Sequence, residues 1–187
     1  MRILILNGSI HGSRGNCSVL IEKLRKTHGK IHWDLVHLAG NSFNKTLIKK
    51  IAAADAVLFF TGTYWDSWGS PLQKFFEDGT ALEADPRIVG KPAGVCVLMH
   101  SVGGKEVLSR LQGNLSTLGF LIPPMSGMAY SLSGQLALTT KSQHSRDFWS
   151  LEDLDTIVAN LVLAAQTHIA WQTWPVDRKN FRKKWIR

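Results

Sequence analysis

The stretch Arg2–Leu24, RILILNGSIHGSRGNCSVLIEKL, decides the fold. An apolar run, Ile3 to Leu6, reads as a strand, and Val19 to Leu24 reads as the start of a helix. Between them lie three hydroxyl-bearing serines (Ser9, Ser13, Ser18), three glycines after Gly8's turn is counted with Gly12 and Gly15, and the polar side chains of Asn7, His11, Arg14 and Asn16. A strand's carboxyl end leading to a helix's amino end gathers unpaired N–H groups and the positive pole of the helix dipole, and so favours an anion.

Two familiar glycine loops do not fit. Gly15 is followed by Asn16 and Cys17, where a nucleoside-triphosphate loop requires Lys and then Ser or Thr. Gly8 is followed by Ser9-Ile10, so the Gly-x-Gly of a dinucleotide fingerprint is missing. What remains is either an ordinary Gly/Ser turn or a hydroxyl-rich loop for a terminal phosphomonoester, whose dianion accepts from several Ser hydroxyls and backbone donors at once.

Downstream, strand and helix patterns alternate. The reading is strand 2–7, helix 18–27 ended by Gly29, strand 31–38, and helix 43–53 capped by Ser42 or Asn41. Ala56-Val57-Leu58-Phe59-Phe60 is a strand buried on both faces. Pro71 opens a third helix, Ala93 to Met99 forms a fourth strand, and a fourth helix runs from Gly103-Gly104 to Leu118 and ends at Gly119. A fifth strand is expected at 120–122, an irregular segment from Pro123 through Ser145, and a last helix from a Ser150–Asp153 capping box to about Trp171. Five strands interleaved with helices predict a three-layer α/β sandwich around a five-stranded parallel sheet of order 2-1-3-4-5. In such sheets ligands bind beyond the strands' carboxyl ends, where the loops after strands one, three and four converge.

With 187 residues, 44% of them hydrophobic, one domain with an adequate core is expected. The boundaries read as a domain at 1–175 and a basic tail at 176–187, where Arg178, Lys179, Arg182, Lys183, Lys184 and Arg187 face only Asp177. That tail carries most of the net charge of +8. With Phe181 and Trp185 interleaved, it suits nucleic acid or an anionic membrane, or else a solvated or subunit-docked extension; nucleic acid is not the expected partner. No apolar span reaches membrane length, the start shows no secretory cleavage pattern, and two isolated cysteines, Cys17 and Cys96, form neither a disulfide framework nor an iron–sulfur ligand set. A reducing cytoplasm is the expected location.

The loop Thr61-Gly62-Thr63-Tyr64-Trp65-Asp66-Ser67-Trp68-Gly69 places three large aromatics at the ligand mouth, to flank a flat ligand or to cap the core or a subunit interface. His100-Ser101-Val102-Gly103-Gly104-Lys105 offers closely spaced N–H donors to a heteroaromatic edge, or is a plain turn into a helix.

Across residues 2–124 these motifs resemble the flavodoxin-like NAD(P)H-dependent FMN reductase and quinone reductase family. LNGSIHGSRGNCSVLIEKL is similar to that family's phosphate loop, TGTYWDSWGSPLQKFFED to its flavin-ring loop, and SVGGKEVLSRLQGNLSTLGFLIPP to the segment that follows. Gly62 departs from a frequent Pro, Gln73 from a usual Lys, and the third glycine pattern is shorter. The resemblance implies an FMN site with Ser9, His11, Ser13, Arg14, Gly15, Asn16 and Cys17 about the phosphate. Thr61, Gly62, Thr63, Tyr64, Trp65, Asp66, His100, Ser101, Gly103 and Gly104 would border the ring and ribityl chain. It further implies NADPH or NADH as co-substrate, a small electron acceptor such as a quinone or free flavin, and a homodimer or homotetramer.

No catalytic residue is required, since a flavin carries the reactivity. His11 and His100 read as hydrogen-bonding groups or proton donors. Cys17, beside a helix start, reads as a lowered-pKa thiol or as small-residue packing. The basic balance favours two-electron chemistry over a single-electron carrier. An interaction module with a basic tail is the remaining alternative.

Overall fold

The computed structural model describes residues 1–138, 148–177 and 186; the expected tail residues 178–185 and 187, and residues 139–147 of the expected irregular segment, lie outside the described residues. Five strands, β1 (Arg2–Asn7), β2 (His32–His37), β3 (Ala56–Gly62), β4 (Ala93–Met99) and β5 (Gly127–Ser131), form one sheet in the order β2-β1-β3-β4-β5. Every pairing is parallel. The helices are α1 (Asn16–Thr27), α2 (Lys45–Ala53), α3 (Ser70–Asp78), α4 (Gly104–Leu118), α5 (Leu132–Ala137) and α6 (Asp153–Ala165).

Strand alternation sorts the core into two layers. Leu4, Leu6, Val57, Phe59, Val95 and Val97 face α2, α3 and α4, where Ile51, Leu72, Phe75, Leu108 and Leu111 meet them. Ile3, Ile5, Leu58, Phe60 and Cys96 face α1 and α6, meeting Leu20, Ile21, Leu24, Leu154, Ile157 and Leu161. Both faces are dry, which is why β1 and β3 read as unbroken apolar runs.

Four expectations need correction. The fifth strand is not 120–122: Leu121 makes only a bridge to Pro92, and the Pro123-Pro124 pair carries the chain away before Gly127–Ser131 pairs with β4. Proline lacks the N–H a ladder needs at its centre, so the apolar Phe120-Leu121-Ile122 run serves as an approach to the sheet. The cap of α2 is Asn44, whose Oδ1 accepts from Leu47 N at 3.0 Å. The cap position closing α1 is His28, one residue before Gly29. Helix α6 stops at Ala165, and after a turn at Gln166 residues 167–177 form a strap without regular secondary structure.

That strap crosses the end of the sheet opposite the loops after β1, β3 and β4. Trp171 sits against Gly90, where an added Cβ would lie 2.7 Å from the indole Nε1, and Trp174 Nε1 donates to Glu83 Oε1 at 2.8 Å. The expected stop of α4 at Gly119 is observed, with φ +114 as only glycine adopts readily. The capping segment of α6 is reciprocal in part: Ser150 N donates to Asp153 Oδ2 at 2.7 Å, and Glu152 N donates to Ser150 Oγ at 3.2 Å.

Candidate cofactor site

Asn7, the last residue of β1, is fully buried and organises the first loop. Its Oδ1 accepts from Ser9 N at 3.0 Å, and its Nδ2 lies 3.0 Å from Gly12 O and 3.0 Å from His37 Nδ1. Ser18 Oγ donates to the same Gly12 carbonyl at 2.7 Å. The loop thus curls back over the strand end and delivers Gly15, in extended backbone, as the N-cap of α1. No side chain caps α1, so its first-turn N–H groups face the loop without a side-chain acceptor. A Cβ on Gly15 would meet His11 Cβ at 2.9 Å and Ser9 Oγ at 3.2 Å, so the turn closes only around glycine.

Ser9 is the centre of this loop. Its Oγ accepts from His11 N at 3.3 Å and lies 3.3 Å from the Tyr64 hydroxyl. Burial pushes the Cys17 thiol up to about 12 from its ordinary 9.0, against the lowering effect of a hydrogen bond with Ser9. The helix start therefore does not activate Cys17; the side chain is packing. His37 is held below its ordinary value of 6.5 by burial, with the Glu22 charge opposing. A neutral His37 Nδ1 accepts from Asn7 Nδ2.

The second loop turns back at its tip, with Tyr64 and Ser67 bonded N–H to carbonyl in both directions at 2.8 and 3.0 Å. Trp65 and Asp66, at the tip, both have positive φ, +49 and +54, in a turn that usually takes Asn-Gly. The aromatics of this loop divide by role. Tyr64 lies half-buried along Gly62 and Gly69, and its hydroxyl reaches Ser9. Trp65 is fully exposed. Trp68 caps the core: it is edge-on to Phe76, lies under the Arg110 guanidinium at 4.9 Å, and donates from Nε1 to Gln73 Oε1 at 2.9 Å. Gln73 also donates from Nε2 to Glu77 Oε1 at 3.0 Å, so both ends of its amide are engaged.

Loop packing explains the remaining glycines. A Cβ on Gly69 would overlap the carbonyl oxygen of Gly8, so the second loop rests directly on the first. Thr61 is wholly buried, and its Oγ1 accepts from Gly69 N at 3.0 Å to anchor that return. A Cβ on Gly103 would overlap the Asp66 carboxylate, which locks the second loop to the third.

One cavity of about 450 Å³ opens above the sheet, within the range of small-molecule sites. It runs from Ser9, His11, Asn16 and Cys17, past Gly62, Thr63 and Tyr64, to Leu98, Met99 and His100 at the end of β4. Of the residues expected at the site, these eight converge there: Ser9, His11, Asn16, Cys17, Gly62, Thr63, Tyr64 and His100. Ser13, Arg14 and Ser101 are exposed outside its lining, as are Trp65 and Asp66 at the turn tip. Gly15, Thr61, Gly103 and Gly104 shape the loops; Gly104 N donates to Met99 Sδ at 3.2 Å. The sequence reading missed Tyr130, Leu132 and Leu151 in the wall, and Val19, Leu20 and Lys23 on α1. Tyr130 lies in β5 and Leu132 directly follows it, and the misplacement of that strand at 120–122 hid them.

The residues fit a flavin mononucleotide: donors of an uncapped helix and a serine loop at one end, and apolar walls at strand ends at the other. The model of the NADPH-dependent FMN reductase family matches residues 1–134. The chain belongs to that family. It is an FMN-dependent NAD(P)H oxidoreductase.

Solved structures share the fold at low identity. RosB with a bound 8-demethyl-8-formylriboflavin-5′-phosphate intermediate is 19% identical with TM-score 0.69, over 89% of this chain and 79% of that one. The NADPH-quinone reductase of P. pentosaceus is 14% identical with TM-score 0.56, over 91% and 100%. The NAD(P)H:(acceptor) oxidoreductase FerB of Paracoccus denitrificans is 19% identical with TM-score 0.59, over 88% and 94%. No curated protein matches the chain in sequence. Among the described residues no helix is long and apolar enough to cross a membrane, and no cluster of His, Cys, Asp or Glu is arranged to hold a metal.

Proposed function

We propose that the chain reduces a small acceptor, a quinone or free flavin, with two electrons drawn from NADPH or NADH through FMN held in the cavity above the sheet. The observation that carries this reading is the single cavity joining the uncapped start of α1 to the apolar ends of β4 and β5. When bound, FMN supplies the redox chemistry. The protein's own residues bind and orient.

At the phosphate end, the first-turn amides of α1, Ser9 Oγ and Asn16 donate, while His11 and the exposed Ser13 and Arg14 add polar reach and positive charge at the rim. The Ser9–Tyr64 hydroxyl contact is exchangeable for contact with a phosphate oxygen, because both hydroxyls can donate. Thr63, Tyr64, Leu98, Met99, His100 and Tyr130 provide the wall for the ring. Met99 Sδ is taken by Gly104 N, which holds the wall on the third loop. The α1 dipole and a net charge of +8 stabilise negative charge developing at the cofactor. His100, exposed at the cavity, is the nearest candidate for moving a proton to an acceptor.

We place the flavin domain at 1–175 and the basic tail at 176–187, the protein in the cytoplasm, and its assembly as a homodimer or homotetramer; the low cysteine use and the family likeness support this. The decisive experiment is an anaerobic absorption spectrum of FMN-loaded protein before and after NADPH or NADH. Loss of the visible flavin band, restored by a quinone, is expected. A chain that binds no FMN, or bound FMN that neither nucleotide bleaches, overturns the reading.

A further inference from the structure

We propose that the groove between α1 and the start of α6 seats the adenosine-phosphate half of the nicotinamide dinucleotide, with Lys23 and Lys26 as its specificity-determining contacts. The inference rests on the flavin reading of the cavity above, and its test separates the two.

The groove, about 320 Å³, is lined by Leu20, Lys23, Leu24, Lys26 and Thr27 of α1 and by Leu151, Leu154 and Asp155. It shares Leu20, Lys23 and Leu151 with the cofactor cavity, so the two are continuous. Leu20, Lys23, Leu24 and Thr27 stand at i, i+3, i+4 and i+7, one stripe of the helix turned toward α6. Seven residues of rise make the groove about 10 Å long. Its upper end opens into the cavity. At its lower end His28 Nε2 holds Asp155 Oδ1 at 2.8 Å, which occupies the one carboxylate of the lining.

Charge selects the occupant. Lys23 and Lys26 make no ion pair among the described residues, while the neighbouring Glu22 is taken by Arg25 at 2.9 Å. Two ammonium groups above a leucine floor suit a ligand with a flat or apolar body and phosphate groups at its edge. A dinucleotide donor has that form. Its nicotinamide must reach the flavin ring, so its other half must leave the cavity by a continuous route, and this groove is such a route. The same leucine floor would also take an apolar acceptor tail; the two unpaired lysines favour the anion.

The test uses adenosine 2′,5′-bisphosphate, which represents the adenosine half alone, titrated calorimetrically into flavin-free and FMN-loaded protein. Binding to the wild-type chain is expected, weakened about tenfold in Lys23→Gln/Lys26→Gln and abolished by Leu151→Trp, which fills the groove. Lys26→Gln borders the groove alone and is expected to weaken it while FMN affinity, read by flavin fluorescence, stays unchanged. With NADPH the KM should rise in that variant, and with reduced nicotinamide mononucleotide it should not. Absence of binding to the wild-type chain, equal binding by the variants, or a KM effect confined to the acceptor overturns the proposal. Failure to bind FMN with the bisphosphate still held through the lysines would end the flavin reading and leave the groove.

Discussion

Asn7 carries more of the site than its side chain suggests. It is buried at the end of β1, and its amide holds Ser9 N and Gly12 O while pairing across the sheet with His37. In Asn7→Ala those groups lose their partner inside the protein, so a loss of about 2 kcal/mol in a urea titration is expected, with FMN affinity falling at least tenfold. Stability unchanged within about 0.5 kcal/mol would refute this. His37 makes the same network pH-sensitive. Its folded pKa lies below 6.5, so the native state disfavours the protonated form. The stabilisation is complete above the unfolded value of 6.5 and is lost as pH falls from there toward the folded value. Below its lowered folded value His37 gains a proton and can no longer accept from Asn7, so FMN affinity should weaken there with acidification, and His37→Gln, whose side chain cannot titrate, should flatten that slope in a fluorescence titration.

At the scale of elements, the three loops act as one body because glycines let them touch. Gly69→Ala would push the second loop off the Gly8 carbonyl, and Gly15→Ala would wedge Ser9 from His11. Both variants are expected to keep the circular dichroism of the fold and to lose FMN binding about tenfold or more; undiminished binding by both would show that the loops move independently. The legible part of this design was periodic or chemical. Strands β1 and β4 were readable to the residue because runs buried on both faces have sharp ends at Asn7 and at the Met99-His100 step. The first loop was readable because helix starts, serines and glycines have direct anion chemistry. Strand β5 was not, since Gly127-Met128-Ala129-Tyr130-Ser131 has neither alternation nor an apolar run, and its place is fixed by pairing with β4. The cavity wall at Tyr130 and Leu132 was lost with it. Trp68 and Trp65 share a loop and a side-chain type, yet one is buried and one fully exposed, a difference that only the turn at Tyr64–Ser67 creates.

For the whole molecule, the strap over residues 167–177 closes the end of the sheet away from the cavity. Trp171 is 47% exposed, so its replacement by Ala should cost about half of a buried Trp, or about 2 kcal/mol, in thermal or urea unfolding. FMN affinity should not change, because nothing in the cavity touches the strap; a parallel loss of both would mean the strap supports the site. The cavity itself draws on Ser9 near the start of the chain and on Leu151 near the start of the last helix. All five strands are parallel, so every pairing spans a crossover and joins residues about thirty or more positions apart, and contact order is high. Tyr130, Leu132 and Leu151 close the cavity from the last part of the described chain, so its wall is complete only once β5 and α6 have docked. Flavin uptake after refolding should accordingly lag behind the recovery of helical signal, so that a photoreactive ring is never carried by a half-made chain.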